Sequence, residues 1–299
     1  MKKRTLSSLA ATGGLLIVSV LALGACSSNP APSPAAASPA AATDPAAAKL
    51  LPPAVRSAGQ ISFATDATYA PFETVDTQTN KIVGIDADLT AALGRALGLK
   101  VTLDNVSFDD IIPALQAGRY DAAASAISVT PAREKVVDFV VYMRAGSGLA
   151  VQKGNPHHLQ MDPLALCGHN IGAPTGTIQA VTQLPEISSQ CVKAGKPAVT
   201  ISQFPSQEAV NLAVSSGRVQ AAMAASISLA VQVKASDGAL ELAPGEDFDP
   251  APIGIAFPKG SDLVPAVQKA LTDMATSGEL KQIVTRWGMP SDSVYTVPQ

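Results

Sequence analysis

The sequence predicts an α/β protein of two doubly wound units joined by extended crossings. Three observations carry that expectation. From residue 60 to residue 144, apolar runs of strand length alternate with amphipathic segments of helical period, the pattern of a sheet wrapped by helices. The same alternation restarts near Val151 and continues past Leu242. Between them, residues 136–154 (VVDFVVYMRAGSGLAVQKG) form an extended run long enough to pass from one unit into the other, with Ile253 to Phe257 placed for a return.

The first 55 residues read differently. Lys2, Lys3 and Arg4 precede an apolar stretch, Leu15 to Leu23, that is too short and wrongly flanked to span a membrane, so residues 1–25 read as an export signal. The signal ends in Leu23-Gly24-Ala25-Cys26, which looks like a bacterial lipobox, with Cys26 acylated and becoming the mature N-terminus. A lipid there tethers a protein to the cell membrane without embedding it. Residues 26–55, rich in Ala, Pro and Ser, read as a linker with nothing to bury. The body that follows, about 244 residues, is ample for a sizeable core.

Net charge is −3, and becomes −6 once the three cations of the signal are removed. That balance argues against nucleic acid as a partner. Of three cysteines, Cys26 is taken, and in an exported chain the remaining Cys167 and Cys191 read as a disulfide, with two buried thiols as the alternative. His157, His158 and His169 lack metal-ligand spacing, so neither a metal nor another cofactor is expected.

In chain order, QISFATD (60–66) alternates into a strand ending at Asp66, with Tyr69 in the turn beyond it; carboxyl ends of strands are where open α/β sheets place ligands. Lys81 to Ile85 reads as a strand, residues 86–97 as a helix stopped by Gly98, and Val101 to Leu103 as a strand. Ser107 and Asp110 form a weak capping box for a helix that Phe108 opens and Gly118 ends. A further strand, Ala122 to Ala126, precedes Ser128, Thr130 and Pro131. Thr130 reads as an N-cap and Pro131 as the first helical residue, where a missing N–H costs nothing. Arg133 in that turn adds a planar, bidentate donor, and together they predict a socket for a carboxylate.

In the second unit, Asn170 to Ala173 reads as a strand, followed by Pro174-Thr175-Gly176-Thr177 and a helix from about Ile178 to Leu184. This Thr-Gly-Thr turn is a second anion site, too short for a nucleotide-binding loop. Val199 to Ile201, Val219 to Ala224, Leu240 to Leu242 and Ile253 to Phe257 read as strands. Ser206 caps a helix through Val214, and two helical patterns, Leu263 to Met274 and Leu280 to Trp287, finish the chain.

Seven stretches, ATDATYAPFE (64–73), GIDADL (84–89), FDDIIPALQAGRYDAAAS (108–125), SVTPAR (128–133), VVDFVVY (136–142), GAPTGTIQA (172–180) and GIAFPKGS (254–261), give the body a close resemblance to the type II periplasmic binding proteins, in the amino-acid-binding family of ABC-transporter solute-binding proteins. The resemblance implies two lobes, 56–147 with 254–299 and 148–253, closing about a two-crossing hinge. Lobe 1 would supply Arg133 for the ligand carboxylate and Ser128 for its α-substituents. Tyr69 and Phe108 would be the aromatic pair around the side chain, and Asp66 the acid at its polar or cationic end. Ser125 and Ala126 match small residues beside the ligand, and Thr177 matches a carboxylate contact from lobe 2. An ABC permease is the implied partner, a polar or cationic amino acid or related small carboxylate the implied ligand, and a monomer the expected state.

One position departs from the family pattern. Ala225 stands where relatives carry an Asp for the ligand's α-ammonium, and a buried ammonium without a counter-charge is costly. That favours a carboxylate with a distal amine, amide or guanidinium and no obligatory α-amine, unless an acid arrives from a distant segment such as Glu208. Catalysis is not expected, because Asp66 is the acid that can be placed in the cleft and no His or Cys joins it. The competing readings are a ligand-sensing module for a membrane receptor and a dehydratase-like enzyme on the same fold.

Overall fold

The computed structural model describes residues 43–294; the expected export signal, lipidated Cys26 and linker as far as residue 42 lie outside the described residues. The linker expectation fails for residues 43–55. Asp44 accepts from the amides of Ala46 and Ala47 and opens α1 (Pro45–Lys49), and α2 (Pro53–Ala58) follows. Ala47 and Leu51 are buried in the first lobe's core. Alanines spaced on a helical face join a core only when another element covers them, which composition cannot show.

Next come β1 (Gln60–Thr65) and a small antiparallel sheet of β2 (Thr68–Tyr69), β3 (Glu73–Val75) and β4 (Ile82–Val83). After these, α3 (Ile85–Leu97), β5 (Lys100–Asn105), α4 (Phe108–Gln116), β6 (Ala122–Ala123) and the single turn α5 (Pro131–Glu134) lead into the long β7 (Val137–Gln152). In the second half, β8 (Asn170–Pro174) leads to a π-helical turn, Gln179–Gln183, that runs into α6 (Leu184–Lys193). Then follow β9 (Thr200–Phe204), α7 (Gln207–Ser215), β10 (Ala221–Ala225), α8 (Ser226–Ala235) and β11 (Leu240–Leu242). The return strand β12 (Phe248–Pro258), α9 (Val264–Ser277) and α10 (Glu279–Arg286) complete the body.

The main sheet runs β5-β1-β6-β12-β7-β10-β8-β9, with β11 also beside β7. Its outer thirds are parallel: β5-β1-β6 in one lobe and β9-β8-β10 in the other, wound in the same sense. The antiparallel β7 and β12 pass through both. The result is two doubly wound lobes joined by two crossings. In each lobe the chain order reverses beside its first strand, and ligand crevices form at that switch point, at the strands' carboxyl ends.

Several elements differ from expectation. Residues 82–83 pair with β3 in the small sheet and do not enter the main one. Ser107 occupies the N-cap position of α4 without a side-chain cap bond, and the Phe108 amide donates to Asp66 Oδ2 instead (3.1 Å). The helix expected to stop at Leu184 runs on to Lys193, with Pro185 just past the wider π-helical turn Gln179–Gln183. Helix α8 was not anticipated; its apolar positions do not gather on one face.

Each lobe buries apolar residues on both faces of its sheet. Phe63, Leu89, Leu93, Tyr142, Ile255 and Phe257 centre one face of the first lobe, while Leu115 and Ile127 lie on the other. Lobe 2 packs Leu149, Ile171, Leu184, Ile187 and Met223 on one face and Phe204, Val210 and Leu229 on the other. Cys191, fully buried there, is bonded to Cys167 with Cα atoms 5.5 Å apart.

A buried polar network ties the small sheet, α3 and β7 together beneath the cleft. Glu73 and Asp86 are both fully buried. Glu73 Oε1 accepts from Ser125 Oγ (3.0 Å). Asp86 accepts from Tyr142 Oη (2.5 Å) and from the Ala126 amide (2.7 Å). Burial, with the Asp86 charge beside it, raises the Glu73 carboxyl well above its ordinary value, and burial raises Asp86 as well, so the pair favours holding a proton.

Two predictions follow from these cores. The disulfide closes a loop of sequence separation 24, so reducing it should lower the unfolding free energy by about 3.5 kcal/mol in urea melts. A loss under about 1 kcal/mol would mean that the loop is already constrained without the bond. For Glu73, the raised folded pKa means that its stabilising contribution is complete below the unfolded carboxyl value of 4.5 and is lost as pH rises. Glu73→Gln offers the same donor and acceptor without a titrating proton. It should melt higher than wild type at pH 8 and no higher at pH 4.5; an equal difference at both pH values would show that Glu73 does not hold its proton.

Candidate functional site

The carboxyl ends of β1, β6, β8 and β10 meet in one cleft between the lobes, the place where open α/β sheets bind small ligands. All nine side chains expected to contact ligand line it: Asp66, Tyr69, Phe108, Ser125, Ala126, Ser128, Arg133, Thr177 and Ala225. Arg133 and Thr177 face this common cleft from opposite lobes.

Thr130 caps the turn before Arg133, its Oγ1 accepting from the Arg133 amide at 3.2 Å, with Pro131 at the first helical position. The helix lasts one turn, too short for an appreciable macrodipole. The anion socket therefore rests on the guanidinium. Nη1 donates to the Ser128 carbonyl (2.7 Å), Nη2 crosses to the Gly176 carbonyl (2.8 Å), and the group lies 5.5 Å from the Phe108 ring centre. Burial lowers its pKa to about 10, so it is charged at neutral pH. It enters no ion pair among the described residues, and a guanidinium's five N–H groups exceed the two carbonyls it meets. A partly desolvated cation in this state favours an anionic ligand.

Asp66 follows β1 directly and is 6% exposed. Oδ1 accepts from Thr68 Oγ1 (2.9 Å) and Oδ2 from the Phe108 amide, while its own amide donates to Ser125 Oγ (2.9 Å). Burial raises its carboxyl pKa; those two donors act against the rise. Tyr69 stacks on Phe72 and accepts the Ala225 amide across the cleft at 2.9 Å. Desolvation pushes its phenol pKa up. Thr177 commits its hydroxyl proton to the Pro174 carbonyl (2.8 Å). Ala225 closes β10 as expected, with a methyl group and no charge.

Among the lining residues that sequence reasoning missed are Glu73, Ser147, Gln179, Gln183, Gln207 and Asp249. Glu73 and Gln179 lie in stretches that carried the resemblance, so position was legible and orientation was not. Gln207 is 1% exposed, donates to Asn211 Oδ1 (3.0 Å) and leaves its Oε1 without a partner among the described residues. Glu208, the distant acid considered for the site, is exposed and does not line the cleft. His157 and His169 pack edge to face, and no group of three metal-ligating side chains occurs among the described residues.

Residues 61–290 match the model of the bacterial extracellular solute-binding proteins, family 3. The arginine-binding protein ArgT of Corynebacterium glutamicum is 28% identical over 240 residues, covering 80% of this chain and 78% of that protein. Among solved structures, the amino acid ABC transporter substrate-binding protein AbpA of Streptococcus pneumoniae, bound to L-arginine, superposes with a TM-score of 0.70 at 27% identity, over 78% of this chain and 96% of that one. The ancestral amino-acid-binding protein AncCDT-1, a precursor of cyclohexadienyl dehydratase, superposes with a TM-score of 0.66 at 31% identity, over 78% of this chain and 97% of that one. The matched residues take in both lobes and the cleft between them, and the chain belongs to the family 3 bacterial extracellular solute-binding proteins, with the type II periplasmic fold of its amino-acid-binding members.

Proposed function

We propose that this chain is the extracytoplasmic substrate-binding lipoprotein of an ABC importer, and that it captures a basic amino acid of the arginine type, or a related small carboxylate, between its lobes. The observation that carries the reading is Arg133, a partly buried cation in no ion pair among the described residues, lining one cleft with Asp66. A ligand with a carboxylate at one end and a cation at the other satisfies both groups. The names of similar proteins, ArgT and the arginine-bound AbpA among them, support the same class.

In this reading Arg133 clamps the carboxylate, with Ser128 and the turn at Thr177 beside it. Tyr69 and Phe108 flank the side chain, Asp66 meets its cationic end, and Ser125 and Ala126 leave room. The protein acts as a monomer, anchored to the membrane through lipidated Cys26, and delivers its ligand to a permease. Closure is a hinge motion of residues 148–253 against 56–147 with 254–299, to which residues 43–55 add two helices. No reaction is assigned.

A thermal-shift screen of the full chain with L-arginine, L-lysine, L-histidine and neutral amino acids tests the ligand class. A basic amino acid at a hundred times its Kd should add about 2.7 kcal/mol of stability; stabilisation by neutral amino acids alone would overturn the reading. Arg133→Lys keeps the charge but loses the planar fork, so affinity should fall about tenfold or more, ~1.4 kcal/mol. An unchanged Kd would place the carboxylate elsewhere.

A further inference from the structure

β10 ends in Ala225, so the strand position that would supply a counter-charge to an α-ammonium supplies none. Two acids of the return crossing lie near: Asp247 accepts from Ser226 Oγ at 2.8 Å and does not line the cleft, whereas Asp249 lines it. Asp249 arrives there through an irregularity in the return crossing. Phe248 pairs with Ser147 and Ala251 with Ala145, so Asp249 and Pro250 together stand opposite Gly146. A bulge of this kind breaks the alternation of side chains and re-aims one of them. Asp249 takes φ 45°, a left-handed conformation that Asp adopts more readily than most residues.

The surroundings are polar, buried and directional. Gln179 Nε2 donates to Ser147 Oγ (2.8 Å), Ser147 donates to Gln183 Oε1 (2.7 Å), and Gln183 Nε2 reaches Asp249 Oδ2 (3.3 Å). Gln179, Ser147 and Gln183 are buried, and each lines the same cleft as Ala225. Asp249 is exposed at the cleft, joins none of the ion pairs of the described residues, and accepts no bond from them at Oδ1. Ala225, Ser147 and Phe248 are direct neighbours across β10, β7 and β12. The acid has therefore moved about two strand spacings, roughly 10 Å, along one row of the sheet.

We infer that Asp249, positioned by Gln183, is the counter-charge for the ligand's α-ammonium, and that the cleft selects α-amino acids over their des-amino counterparts despite Ala225. The inference rests on the basic-amino-acid reading above and adds the residue that decides the α-substituent. Arg133, Asp66 and Asp249 then match a ligand with one carboxylate and two cations.

Titration calorimetry of the full chain with L-arginine and 5-guanidinopentanoate tests this through the ratio of the two affinities. Wild type should favour L-arginine about tenfold or more, the strength of a charge-assisted pair. Asp249→Asn should bring the ratio close to one, and Asp249→Asn combined with Ala225→Asp should restore the preference. Asp249→Ser provides the same reading if asparagine disturbs the bulge. A preference absent in wild type, or unchanged in both single variants, overturns the inference while arginine binding stands. Wild type binding neither compound overturns the ligand class, and this inference with it.

Discussion

The antiparallel ladder between β7 and β12 is the constraint on which the rest of the molecule depends. It runs from Phe248 opposite Ser147 to Pro258 opposite Val137, and along it the chain belongs to both lobes at once. Because β6 pairs with β12 on one side and β10 with β7 on the other, two parallel sheets that would otherwise be separate are hydrogen-bonded into one. The same ladder aims the carboxyl ends of four parallel strands at a shared cleft, so the site is a consequence of how the crossings pair. It breaks register twice, at Asp249 and Pro250 and again between Ile253 and Gly254, and the first break lies at the cleft wall.

The cleft's electrostatics depend on which acids stay ionised. Burial raises both Glu73 and Asp86, which disfavours two charges there, and Tyr142 and the Ala126 amide bond the Asp86 carboxylate. That arrangement fixes the loop carrying Ser125 and Ala126 without adding a second negative charge beside Asp66. Arg133 is oriented by two carbonyls, which hold a guanidinium in place without neutralising it. The protein thereby keeps one cation and its exposed or partly satisfied acids available to a ligand, and spends its other polar groups on each other.

Contacts across the cleft use main-chain groups at both ends. Arg133 reaches the Gly176 carbonyl, Tyr69 receives the Ala225 amide, and Ser228 Oγ donates to the Ala70 carbonyl at 2.6 Å. Gly176 takes a positive φ, and a Cβ there would press on Asp109 at 3.2 Å, so the approach of the lobes at this point favours glycine. The Ala225 amide bond to Tyr69 uses the backbone of a residue whose side chain contributes no charge, so the strand end retains a structural role whatever stands at position 225.

The sequence by itself determined the alternation of strands and helices, the crossing at residues 136–154, the cap and first turn around Thr130 to Arg133, and the cysteine pair. Those features depend on local periodicity, on a few residues with fixed backbone preferences, and on export, all of which are written within short windows. Of the nine expected cleft residues, Asp66, Tyr69, Phe108, Arg133 and Thr177 were legible from their place in the turns beyond strands, and Ser125, Ala126, Ser128 and Ala225 from the resemblance of the stretches that hold them. The tertiary structure alone decided the rest. Ala47 and Leu51 became core because α3 and α9 cover them. The Glu73 carboxyl pKa rose because folding buried it beside Asp86, and Asp249 reached the cleft because two strands paired with a register shift. Each of these is a relation between segments far apart in the chain, and burial, shared protons and strand register exist only once such segments meet.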